Sequence, residues 1–164
     1  MHGMLGLRSR LATIPLFKGL TAEELDGLFE LCEVRKLKAS QVLFVEGKPS
    51  DALWILLEGD VEVSRETKLL AELGPGAAIG ELSLFNPTAR RSATVTAICP
   101  VTVVRIPVNG FRKKLAARDL AALKVVSNVA QQMADRLAAL NERLLSKGKK
   151  GLAVTRSELR RTVL

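Results

Sequence analysis

Gly80-Glu81-Leu82-Ser83-Leu84-Phe85, followed shortly by Arg90-Arg91-Ser92-Ala93-Thr94-Val95, is the stretch of this chain best equipped for chemistry. Gly80 permits close backbone approach. A carboxylate follows, then an apolar run long enough for one helical turn. Asn86-Pro87 makes a loop, and an arginine stands at the mouth of a β-rich run. A helical turn that points free N–H groups into a cavity attracts an anion. An arginine beside it can clamp a phosphate through two parallel charge-assisted hydrogen bonds. A glutamate in the same pocket can accept hydrogen bonds from sugar hydroxyls. An anion site next to a ribose site is what a cyclic nucleotide requires. On these residues alone, a Glu81–Arg91 salt bridge across a loop is the competing reading.

Other chemistries find little support. The single histidine is His2, which leaves no His-based triad and no multi-histidine metal site. Cys32 and Cys99 lie far apart without metal-binding spacing, and a disulfide framework is unsupported, which suits a reducing cytoplasm. No nucleophile–base pair is suggested, so enzyme activity is not expected and no cofactor is called for. Aromatic residues make up 4%, too few for a platform that stacks single-stranded nucleic acid. The net charge of +8 belongs to the ends. Residues 1–18 carry +3 and residues 147–164 carry +5, while residues 19–146 hold 16 basic and 16 acidic side chains. A neutral body argues against a surface built to grip a duplex. No apolar run is long enough to span a membrane, and the N-terminus does not resemble a signal peptide, so a cytoplasmic location is expected.

The elements that must position these residues follow from periodicity. Residues 14–33 are expected to form a helix, with Thr21-Ala-Glu-Glu24 as its capping box and Leu25, Leu28, Phe29 and Cys32 on one face. Short β-rich runs follow at Gln41–Val45, Ala52–Leu57, Val61–Ser64, Leu69–Leu73, Ala93–Ile98 and Val101–Ile106, punctuated by Gly, Pro, Asp and Asn. This spacing predicts an antiparallel β-barrel or jelly roll. Helix returns at Asn109–Ala117 and again from an Asp119 cap to Leu145. In the longer helix Leu123, Val126, Ala130, Met133, Leu137, Leu140 and Leu144 step by 3 and 4, an a/d seam that favours a two-helix dimer interface over docking on its own domain. The expected class is mainly β with flanking helices. Residues 1–13 form an extension, 14–145 the domain with its dimerisation helix, and 146–164 a basic flexible tail.

These motifs resemble the cyclic nucleotide-binding domain family over nearly all of 14–145. Ile14–Leu25 is similar to that family's leading helix. Val45-Glu-Gly47, Asp51–Gly59 and Val61 are similar to its early strands and turns, and Gly80–Val95 to its phosphate-binding cassette. The Gly80-to-Arg91 spacing matches the bacterial catabolite activator type. The run Arg91-Ser-Ala-Thr-Val95 fixes the register, so Arg91 is the implied phosphate ligand and Arg90 lies in solvent. The resemblance implies that Glu81 accepts from the ribose 2′-hydroxyl. It implies that the backbone N–H groups of Leu82 and Ser83 hold the cyclic phosphate together with Arg91, and that the Ser92 hydroxyl can add a contact. In the activator two consecutive hydroxyl residues of the long helix reach the adenine. Here those positions are Leu140, a departure, and Asn141, which keeps donor and acceptor capacity. Arg136 falls where the family has an arginine near the phosphate. Ser92, in place of a threonine associated with guanine, leans the ligand toward cyclic AMP, with cyclic GMP the alternative.

In the activator a helix-turn-helix domain follows the dimerisation helix. Only about twenty residues remain here, so DNA binding is not expected. The implied function is a stand-alone cyclic nucleotide sensor, a homodimer through its C-terminal helix, that acts on an unidentified effector protein. The alternative, favoured by Leu140, is a ligand-independent scaffold or interaction protein that keeps the fold. A third reading gives the basic tail an attachment role to nucleic acid or anionic membrane.

Overall fold

The computed structural model describes the backbone over residues 2–86 and 88–151 and the side chains over 6–86 and 88–146. The strands are β1 Glu33–Leu37, β2 Val42–Phe44, β3 Ala52–Glu58, β4 Val61–Arg65, β5 Lys68–Leu73, β6 Ala78–Ile79, β7 Thr94–Ala97 and β8 Val101–Pro107. They form two antiparallel four-stranded sheets, ordered β1-β8-β3-β6 and β2-β7-β4-β5. Strand β3 is an unbroken apolar run because residues on both its faces are buried. Its Ala52, Trp54 and Leu56 join Val101 and Val103 of β8 and Ile79 of β6 in one core with Val61, Val95 and Ala97 of the second sheet. The expected jelly roll is present, but its sheets are not closed into a barrel. Strand β6 has only two residues, and β2 pairs with β7 through a register shift between Val42 and Phe44, so neither continues the ladder to the other sheet.

The six anticipated strands are found with ends shifted by a residue or so. Strands β1 and β6 were not anticipated. Strand β1, Glu-Val-Arg-Lys-Leu, is exposed along four of its five residues and carries no apolar alternation, and β6 is too short for any pattern. The helix expected over 14–33 is shorter. Pro15–Phe17 make a single 3-10 turn, Gly19 adopts φ +80°, and helix α2 covers only Ala22–Phe29 before β1 begins. Its capping box forms as expected: the Glu24 N–H donates to Thr21 Oγ1 at 3.2 Å and the Thr21 N–H donates to Glu24 Oε2 at 2.7 Å. Leu25 and Leu28 are buried, while Cys32 is half-buried with its thiol pushed up to about 12 by burial. The N-terminal extension contains helix α1, His2–Ala12, whose Leu11 is fully buried. Arg8 pairs with Asp26 at 2.6 Å and Arg10 with Glu58 at 2.6 Å.

Helix α3 is the single turn Leu82–Phe85, α4 spans Val108–Ala116 and α5 spans Leu120–Gly151. Asp119 caps α5, its Oδ1 accepting from the Ala122 N–H at 3.0 Å. The helix passes the expected end at Leu145 and takes in 146–151, the start of the expected tail. The rest of that tail, 152–164, lies outside the described residues. Leu144 and Leu145, good helix formers, lead into 146–151. Two compact units divide at Val129/Ala130. Within the first, Ala121, Ala122, Val125 and Val129 of α5 are buried, and these are not the seam positions.

The start of α5 is tied down by Lys124, whose Nζ donates to both Glu24 carboxylate oxygens at 2.9 and 2.8 Å and to Gly19 O at 3.0 Å. The Lys124 hydrogen bond, then the Thr21 N–H, hold the Glu24 carboxyl below its ordinary value of 4.5. A depressed carboxyl contributes stability that is present above the unfolded value and lost as pH falls through the folded one. Glu24→Gln therefore lowers the melting temperature by a few degrees at neutral pH. The gap to wild type closes as pH falls below 4.5. Calorimetric melts across pH 3–7 check this, and a gap unchanged at the acid end refutes it.

Candidate functional site

Three chain segments converge on Arg91. It sits just before β7, and its backbone is fixed on both sides. Its N–H donates to Lys48 O at 2.8 Å, and its carbonyl accepts from the Gly47 N–H at 2.8 Å. The side chain turns inward, where the residue is only 4% exposed. Its guanidinium lies over the Phe44 ring, 4.1 Å from the centroid. Nη2 donates to Ala52 O at 2.9 Å and to Asp51 Oδ1 at 3.3 Å. Nε and Nη1 are buried and find no acceptor among the described residues. Burial pushes the guanidinium below its ordinary value and Asp51 works in the opposite direction; an arginine stays protonated regardless. The site is thus a buried cation with two unsatisfied donor nitrogens, Nε and Nη1, which an anion would complete.

Gly80 explains how the cation fits. It ends β6 with φ +83°, a conformation that favours glycine. A Cβ built there would collide with Arg91 Nη1. The glycine is needed for both conformation and space. From it the chain enters α3. Glu81 is partly exposed in a helical conformation, and Leu82 is half exposed. Ser83 is 1% exposed; its hydroxyl donates to Gly80 O at 2.6 Å and its N–H to the same oxygen at 3.2 Å. Helix α4 supports the turn from behind through Arg112 Nη2, which donates to Ser83 O at 3.1 Å.

The structure therefore brings Gly80, Ser83 and Arg91 into one neighbourhood, with Glu81 and Leu82 in the connecting turn. Ser92 is adjacent but exposed. Arg90 is exposed, as expected, with Nη1 donating to Gly47 O at 2.8 Å. Arg136 and Asn141 are exposed on α5 in the second compact unit. Sequence reasoning gave no role to Phe44, Asp51 or Arg105. Asp51 Oδ2 accepts from Arg105 Nη2 at 2.7 Å. Burial tends to raise the Asp51 carboxyl, but the hydrogen bond and charge of Arg105, with the charge of Arg91, outweigh it and hold the group below its usual range. The signal for Asp51 was its place at the head of β3, opposite the cassette; nothing marked Arg105.

Among the described residues no helix is long and apolar enough to cross a membrane, and no group of three or more His, Cys, Asp or Glu side chains could hold a metal ion.

An open antiparallel β-roll with a single-turn helix beside a buried arginine is the architecture on which the family match falls. The profile of the cyclic nucleotide-binding domain matches residues 34–118, and the chain belongs to that family. It is similar to Glutaminase 1 of Bradyrhizobium diazoefficiens, with 34% identity over 83% of this chain and 22% of that protein. It is also similar to the CRP-like cAMP-activated global transcriptional regulator of Mycobacterium tuberculosis, with 28% identity over 82% of this chain and 60% of the regulator. This chain thus spans about a fifth of the glutaminases and under two thirds of the regulator. Among solved structures, the Thermus thermophilus catabolite activator protein superposes with a TM-score of 0.65 at 30% identity, covering 80% of this chain and 63% of that one. A cyclic nucleotide-binding domain from Methylobacillus flagellatus KT superposes with a TM-score of 0.75 over 87% of this chain and 84% of that one; at 24% identity it speaks for the fold alone.

Proposed function

We propose that the chain is a cyclic nucleotide sensor with cAMP as its favoured ligand and cGMP the alternative, and that ligand arrival rearranges α5. The observation that carries this reading is the guanidinium of Arg91, buried with Nε and Nη1 unpartnered. An uncompensated buried charge costs several kcal/mol. A cyclic phosphodiester supplies both the counter-charge and the acceptors. In this reading Gly80 allows the close approach and Glu81 accepts from the ribose 2′-hydroxyl. The amides of Leu82 and Ser83 join Arg91 on the phosphate, Ser83 exchanging its long bond to Gly80 O for the ligand. Ser92 adds a hydroxyl contact. From α5, Arg136 acts near the phosphate and Asn141 toward the base. The protein works as a cytoplasmic homodimer through α5 on an effector protein, regulates rather than catalyses, and needs no further cofactor.

A thermal-shift titration tests it. A ligand at a hundredfold excess over its dissociation constant stabilises by about 2.7 kcal/mol, which raises the melting temperature by about 5–10 °C for a chain of this size. The expected result is such a shift with cAMP and a smaller one with cGMP. No shift with either would leave the ligand-independent scaffold, the reading that an apolar Leu140 in the base position favours.

A further inference from the structure

We infer that Arg105 is a positioning residue for the anion site, acting on Arg91 through Asp51; the inference rests on the nucleotide-binding reading above. Arg105 lies in the middle of β8, opposite Trp54 of β3 on one side and Glu33 of β1 on the other. Its side chain is 18% exposed and held from three directions. Nη2 donates to Asp51 Oδ2 at 2.7 Å, Nη1 reaches Glu33 Oε1 at 3.4 Å, and the guanidinium lies 5.9 Å from the Trp54 ring centroid. Asp51 then spends its other oxygen on Arg91 Nη2 at 3.3 Å. The four charges form one alternating row, Glu33–Arg105–Asp51–Arg91, that crosses β1 and β8 to the head of β3 and ends at the buried cation.

The direction of control follows from exposure. The Asp51 side chain is 64% exposed, whereas that of Arg91 is 2% exposed. An exposed carboxylate left to itself rotates into water, where a lone ion pair holds little. Arg105 fixes one oxygen of Asp51, and the geometry of a carboxylate then aims the other at Arg91. Asp51 and Ala52 O both take the Nη2 end of the Arg91 guanidinium. The Nε and Nη1 donors, which have no acceptor, are thereby held in one orientation before the ligand arrives. Orientation prepared before binding raises affinity because less freedom is lost when the ligand arrives.

Positioning and bulk electrostatics predict opposite signs at Asp51. Removing a negative charge from beside an anion site should tighten binding if only charge matters. It should weaken binding if the carboxylate orients Arg91. Calorimetric titration with cAMP of wild type, Asp51→Ala, Arg105→Leu and the double variant decides, with melting temperatures recorded in parallel to confirm folding. We expect each single variant to bind about three- to tenfold more weakly, and the double variant no more weakly than the weaker single, because both break one coupled unit. Binding to Asp51→Ala as tight as wild type or tighter overturns the inference. So does a double variant whose loss is the product of the two single losses. Should Arg105→Leu fail to fold, the sign at the exposed Asp51 still decides. Wild-type protein that binds no cyclic nucleotide overturns the reading of the site itself, and this inference with it.

Discussion

On the proposed cyclic nucleotide site, replacing Arg91 with alanine is expected to lower affinity for cAMP by about a hundredfold or more. Hydrogen bonds to a charged group contribute about 1.5–3 kcal/mol each, and the two unpartnered donor nitrogens of Arg91, Nε and Nη1, are what a phosphate would take, with at least one bond from each. Losing both amounts to about 3 kcal/mol at the least, or two decades in dissociation constant. Arg91→Lys keeps the charge but not the fork, and recovers only part of the loss. The ligand-free protein should change little in stability. Truncation removes the packing of the guanidinium over Phe44, but it also removes a buried cation whose desolvation is incompletely offset, and the two oppose one another. Titration calorimetry with melting curves separates these effects. Unchanged affinity in Arg91→Ala would remove Arg91 from the ligand site; a collapse in stability without ligand would make it a structural residue instead.

How far the sequence carried this conclusion depends on what kind of signal each residue left. The capping box at Thr21 and Glu24 was legible because it is local: two side chains three residues apart satisfy each other's backbone. Strand β3 was legible because Ala52–Leu57 is uniformly apolar. Strand β1 was not, because an edge strand with exposed charged residues looks like loop until β8 pairs with it. Helix α2 is shorter than expected because Pro15 and Gly19 impose a turn ahead of the Thr21 cap. In the site, Gly80 and Arg91 stood out by type and spacing, but their mutual need did not. Only the fold shows that a Cβ at residue 80 would strike the guanidinium. Asp51 and Arg105 lie 40 or fewer residues from Arg91 in sequence and are joined to it by sheet register, which no spacing rule reveals. Along the α5 seam, Leu123, Leu137, Leu140 and Leu144 are exposed. The competing arrangement, docking on the same domain, is satisfied by other residues: Ala121, Ala122, Val125 and Val129 are buried, and they leave the seam to a different role.

That separation of faces leads to the second large effect expected of the proposed dimer: Leu137→Asp with Leu140→Asp should leave it a monomer. Leu137, Leu140 and Leu144 are 59%, 51% and 60% exposed, and Leu123 is 45% exposed. From residue 134 to residue 146 every side chain is exposed. A helical stretch so open to water is marginal alone, since helices of this length draw their stability from a packed face. The apolar positions recur at steps of 3 and 4 on one stripe, the geometry that two helices bury against each other. Fully burying a leucine side chain is worth about 1.5–3 kcal/mol. Two layers of the seam hold four such leucines, so losing them removes about 6 kcal/mol or more, which weakens association by about four decades before any repulsion among the four new carboxylates. Val125 and Val129 stay in place, so the first compact unit keeps its fold and its melting behaviour. Analytical ultracentrifugation should give a dimer for wild type and a monomer for the double variant at the same concentration. A monomeric wild type, or a double variant that stays dimeric, would show that this seam is not where two copies meet.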